Sequence, residues 1–148
     1  MKAVKSIIKV IVIIAILTGI IIWGAQMIIN EAKKKELETI NTNMLLVQAK
    51  AKVVFETYHV DNANGLKGTK IEDKAELERF GITDDGNYFV WDRKILDEVG
   101  LTEIKLEERN YYIVNYDSEE VLTSKGYKAK DGHTYFKLTD IKRLLNQF

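Results

Sequence analysis

Apolar positions along the chain change rhythm twice, and each change marks a different kind of element. Residues 10–29, VIVIIAILTGIIIWGAQMII, carry no charged side chain, and nine isoleucines, two valines and one leucine outweigh the polar Thr18 and Gln26. At about 1.5 Å per residue a helix of that length matches the hydrocarbon thickness of a bilayer, and its aliphatic side chains favour insertion. The pattern predicts a transmembrane segment over residues 10–29, preceded by a basic tail over residues 1–9. Beyond it no glycine interrupts residues 30–58, and helix formers dominate EAKKKELE at 31–38. The helix is therefore expected to run on over residues 30–60 as an amphipathic element.

Leu37, Ile40, Met44, Val47, Ala51, Val54 and Tyr58 recur at alternating spacings of three and four, which is a heptad seam. Such a seam suits either a two-stranded coiled coil or a helix laid on its own domain. Leu45, Leu46, Val53 and Phe55 broaden the apolar surface beyond a narrow stripe, which favours packing within the chain.

The rhythm then shortens. HVDNANG at 59–65 reads as the end of the helix, with asparagine and glycine suited to a left-handed cap. Asp61, Asn62 and Asn64 lack the ligand alternation and closing glutamate of a calcium loop, and GLKGTK at 65–70 lacks the glycine spacing of a phosphate loop. Thr69 and Glu72 have capping-box spacing and predict a short helix to about Phe80, stopped by Gly81. After a DDGN turn at 84–87, YFVW at 88–91 alternates as a strand, and Asp92 can cap a helix through Val99 with Gly100 as its stop. YYIVNY at 111–116, a polar turn at 117–120 and VLT at 121–123 predict a hairpin. KDGH at 130–133 predicts a tight turn between a strand around Tyr127 and TYFKL at 134–138. Thr139 or Asp140 then starts a terminal helix burying Ile141, Leu144 and Leu145. The expected fold is α+β: a long N-terminal helix packed on a small antiparallel sheet, with short helices before and after it. Residues 61–148 form the single small domain.

Charge refines this outline. The 148 residues balance to zero, yet residues 1–35 hold six lysines and one glutamate, while residues 36–148 hold 16 basic and 21 acidic side chains. A mildly acidic domain without a basic stripe argues against nucleic acid as a partner. Lys2, Lys5 and Lys9 precede the apolar run and Lys33, Lys34 and Lys35 follow it, with Glu31, Glu36 and Glu38 among the latter. The short basic tail is expected to stay inside, giving a single-pass protein of the cell membrane with a cytoplasmic N-terminus and an extracytoplasmic C-terminal domain. The long core and the poor cleavage site at Trp23, Gly24 and Ala25 favour an uncleaved signal anchor over a cleaved leader. Gly19 and Gly24, five apart, miss the spacing of close helix pairing. The chain has neither cysteine nor proline. Disulfides, thiolate metal sites and a cysteine nucleophile are thereby excluded.

Reactive groups are sparse. The two histidines are His59, at a helix end, and His133, after a tight turn. Glu107 with Glu108 and Glu119 with Glu120 are neighbours in turns, which does not oppose an acid and a base across a cleft. No catalytic, cofactor-binding or metal-binding residue is assigned, and the chain is expected to be non-enzymatic, with no cofactor and no small-molecule partner.

An apolar segment running into an amphipathic helix and then an antiparallel meander resembles the layout of type IV pilins and pseudopilins. NMLLVQAK at 43–50, LKGTK at 66–70, YYIVNY at 111–116 and YFKLTDI at 135–141 are similar to phrases in membrane-anchored pilin-like proteins of Gram-positive anaerobes. The resemblance implies a structural or assembly subunit, or an adaptor, at the cell surface. Its implied partners are the lipid bilayer, other membrane or envelope proteins and further copies of the chain. The chain departs from true pilins in having no glycine–phenylalanine processing signal with a glutamate five residues on, and no acid before Glu31. A tethered binding or sensor module that recognises a ligand or partner protein through its sheet is the alternative reading.

Overall fold

The computed structural model describes the backbone of residues 2–61 and 66–148, and the side chains of residues 7–17, 30–58 and 66–148. The chain divides into two units, Met1–Glu36 and Leu37–Phe148. Helix α1, Lys2–Asp61, supplies all of the described structure of the first unit and the leading element of the second.

No helix among the described residues is long and apolar enough to cross a membrane. The expected transmembrane signal anchor at 10–29, and with it the single-pass location in the cell membrane with an extracytoplasmic domain, is corrected on that finding. The described apolar stretch at 7–17 contains Lys9 and falls short of the roughly 18 apolar residues a span requires. The side chains at 18–29, including Thr18, Trp23 and Gln26, lie outside the described residues, as do Lys2, Lys5, His59 and the 62–65 part of the expected cap.

In the second unit, five strands follow one another across a single antiparallel sheet in chain order. They are β1 (Thr69–Lys70), β2 (Phe89–Trp91), β3 (Tyr112–Val114), β4 (Val121–Lys128) and β5 (Thr134–Lys137). Three short helices complete the order: α2 (Lys74–Arg79) and α3 (Arg93–Glu98) flank β2, and α4 (Leu138–Leu145) follows β5. The α+β class stands, with a long N-terminal helix and helices before and after the sheet.

Side chains on successive strand residues point to opposite faces, and here both faces are used. Phe89, Trp91, Tyr112, Val114 and Val121 join one apolar cluster, and Val90, Ile113 and Leu122 the other. Central β3 is consequently buried at every position. The larger cluster takes Leu37, Met44, Val47 and Ala51 from α1, Leu96 from α3 and Leu138 and Ile141 from α4. Four seam positions of the heptad pattern are thus fully or nearly buried, and Ile40, Val54 and Phe55 pack against them. The smaller cluster takes Leu77 from α2, with Ile71, Phe80 and Ile82 around it.

Several boundaries differ from those read in the sequence. Thr69 lies in β1, paired with Val90, and α2 is capped instead by Asp73, whose Oδ1 accepts from the Ala75 N–H at 2.9 Å. Ile71 donates to the Tyr88 carbonyl, so the strand pairing competes for the segment that a Thr69 cap would need. The expected caps Thr139 and Asp140 lie inside α4, which begins at Leu138 after Lys137 in the N-cap position, where no side chain caps it. The fragments at 121–123 and near Tyr127 are one strand, whose register against β5 shifts between Leu122 and Tyr127, the stretch that holds Gly126. A Cβ there would lie 2.6 Å from Thr134 and 2.8 Å from the Phe136 ring, and φ is +68°, so glycine alone fits. Asp92 caps α3 as expected, its Oδ1 accepting from Ile95 N–H at 3.1 Å. Arg93 on that helix donates to the carbonyls of Leu101 and Ile104, which fastens the loop before β3.

Candidate functional site

Two neighbouring surfaces on α1 and the β3–β4 turn stand apart from the rest of the second unit. The first is the outward side of α1. A helix turns about 100° per residue, so the seam at 37, 44, 47 and 51 leaves 42, 46, 49 and 53 on the opposite side, with 45 at its edge. Thr42 and Ala49 are exposed. Leu45 and Leu46 are each 37% exposed and Val53 is 53% exposed, although the sequence pattern had counted these three with the packed surface. Phe55, read with them, does pack inward, stacking on Tyr116 at 6.3 Å between ring centroids.

The second surface is the turn between β3 and β4. Asn115, 5% exposed, accepts from the Asp117 and Ser118 N–H groups at 3.0 and 3.1 Å, while its own N–H donates to the Glu120 carbonyl. That bracing holds Glu119 at φ +62°, a left-handed conformation uncommon for a side chain with a Cβ. Gln48 of α1 reaches across and donates to the Glu119 carbonyl at 2.7 Å. Beside this bridge lies a cleft of about 240 Å³, lined by Lys52, Phe55, Tyr116 and Asp117 among others.

Three tyrosines organise the chemistry around these surfaces. The Tyr88 hydroxyl lies 3.0 Å from Asp84 Oδ2 and 3.3 Å from Glu120 Oε2, and its one proton serves one carboxylate at a time. Burial pushes the Tyr88 phenol up, and the Glu120 and Asp84 carboxylates push it further. Tyr116 donates to the Lys67 carbonyl and accepts from Trp91 Nε1 at 3.0 Å, tying the segment before β1 to the sheet. Burial raises Tyr116 to about 12, with the Trp91 N–H opposing it. Burial also raises Tyr112. Such phenols stay protonated at neutral pH, where they hold structure and do not act as bases.

The residues weighed earlier for chemistry do not converge. His133 is exposed in the hairpin loop before β5, where Asp131 Oδ1 accepts its backbone N–H at 2.9 Å. Glu107 pairs with Lys125 at 3.1 Å, Glu119 with Lys52 at 4.0 Å and Glu120 with Lys137 at 3.7 Å, so the adjacent glutamates serve separate partners. Among the described residues no group of three or more histidines and carboxylates is placed to hold a metal ion. The bridge from Gln48 and the Tyr88 hydroxyl network were not read from the sequence, because their partners lie 71 and 32 residues away. An Asn-Tyr-Asp-Ser stretch between strands was the available hint for the braced turn. Comparison with protein-family models, with characterised proteins and with solved structures found no match to this chain.

Proposed function

We propose that the chain is a non-enzymatic assembly or adaptor module, pilin-like in layout, that associates with other proteins through the outward side of α1 between Thr42 and Val53. One observation carries this reading: the helix already closes the larger core with one side, and still presents two leucines and a valine to solvent on the other. Apolar side chains grouped on an otherwise charged surface favour burial against a partner. A photo-crosslinking residue at position 46 of the full chain tests it in cells. The expected result is a defined set of covalent adducts at 46 that a crosslinker at exposed Lys94 does not give. Identical adducts at both positions, or none at 46, would overturn the proposal.

A binding or sensor module is the second reading, favoured by the strained Glu119 beside the cleft. It expects one ligand class to raise the melting temperature of the full chain, and Gln48→Ala to abolish the rise.

A further inference from the structure

We infer that the occupant of the outward α1 face is a second copy of this chain, its helix running antiparallel so that Leu45 meets Leu45 of the partner. This rests on the assembly reading and names its partner. Thr42, Leu46, Ala49 and Val53 recur at spacings of four, three and four, a second heptad seam on the side away from the core. With the two-fold axis at Leu45, the level of Leu46 in one helix falls between Thr42 and Leu46 of the other, so the two leucines interdigitate beside the threonines.

Charge selects the direction. Glu38 and Lys52 are both exposed, and they flank the seam on the same edge as Leu45, at seven-residue intervals on either side of it. In an antiparallel pair that edge faces itself, and a two-fold axis at Leu45 sets Glu38 of each copy opposite Lys52 of the other. In a parallel pair the edge faces the other flank, where Asn43, Lys50 and Thr57 stand, and Glu38 finds no cation. Among the described residues Lys52 has a 4.0 Å, solvent-exposed pairing with Glu119 to exchange for the new one. A seam this short is smaller than a standard interface of roughly 1,200–2,000 Å², so the dimer is expected to be concentration-dependent.

The chain contains no cysteine, so one introduced thiol reports one contact. Mild oxidation of the purified full chain carrying Leu45→Cys is expected to give a covalent dimer, and Val53→Cys is expected to remain monomeric. In the proposed register the two copies of Val53 are separated by roughly 24 Å along the axis, at 1.5 Å per residue, far beyond disulfide reach. A dimer from Val53→Cys, or from neither variant, overturns the inference. Sedimentation equilibrium is the second arm and needs no thiol. Glu38→Lys and Lys52→Glu are each expected to weaken dimerisation about tenfold by opposing like charges twice, and the double variant to restore it. Equal weakening in the double variant overturns the register. Crosslinks from position 46 in cells, with a purified chain that stays monomeric, retire the second copy as partner while leaving the assembly reading in place.

Discussion

The two faces of the sheet are covered very differently. One carries fifteen buried residues drawn from α1, α3, α4, three strands and the loops between them, whereas the other carries seven, with α2 as its only helix, among the described residues. The larger face is closed by elements far apart in sequence, from Leu37 to Ile141. The smaller is closed almost locally, by the segment from Ile71 to Ile82 that lies between β1 and β2. The lesson is that the sheet is a divider between a core that depends on the whole second unit and one that depends largely on a single short segment.

The most direct way to break this comparison is to hollow each side in turn. Trp91→Ala removes a fully buried ring from the larger face, and a loss of about 3–5 kcal/mol in denaturant unfolding is expected. Phe80→Ala on the smaller face, where the ring meets Phe136 edge-on at 5.2 Å, is expected at about 3 kcal/mol or below. The six-residue α2 can settle into the gap, whereas Trp91 lies in β2 with its Nε1 donating to the Tyr116 hydroxyl and the Lys67 carbonyl. Equal costs would show that the two cores are equally rigid.

Alkali sharpens the same contrast. The Tyr116 phenol titrates near 12 in the folded chain and near 10 when unfolded, so the unfolded state loses its proton first. Stability tied to this group is intact below pH 10 and disappears as the pH climbs through about 12, by on the order of 2 kcal/mol. Tyr88 and Tyr112 shift in the same direction and add to the loss. Following phenolate absorbance beside circular dichroism should show ionisation of the buried tyrosines coinciding with unfolding. Ionisation of Tyr88, Tyr112 and Tyr116 in a fully folded chain would contradict it.

The smallest expected effect falls in the turn. Glu119→Gly relieves a left-handed backbone angle while leaving the carbonyl that Gln48 needs, and a gain of about 0.5–1 kcal/mol in thermal stability is expected. A loss would mean that the exposed pairing with Lys52 outweighs the strain.

How far the sequence could be read followed the range of the forces involved. The heptad seam, the alternation at YFVW and YYIVNY, and the Asp92 cap depend on residues a few positions apart, and each appears where the pattern placed it. Thr69 shows the limit. Its capping-box spacing is genuine, but pairing with Val90 across the sheet takes that backbone into a strand, and Asp73 caps the helix instead. The outward α1 surface was misjudged for a related reason. Periodicity says that Leu45, Leu46 and Val53 are apolar, whereas the placement of the sheet decides which side of a broad stripe is covered. The apolar run at 10–29 was weighed by hydropathy alone, and the described helix does not sustain a span.

Strand order that repeats chain order has a kinetic corollary. Each strand needs to find only the segment just before or after it, so the meander can zip up through short loop closures, the regime in which small domains fold quickly. With no proline anywhere in the chain, no peptide-bond isomerisation delays that process. The contacts that do require a long search are those that bring the amphipathic stretch of α1 into one cluster with α4, from Leu37 to Ile141.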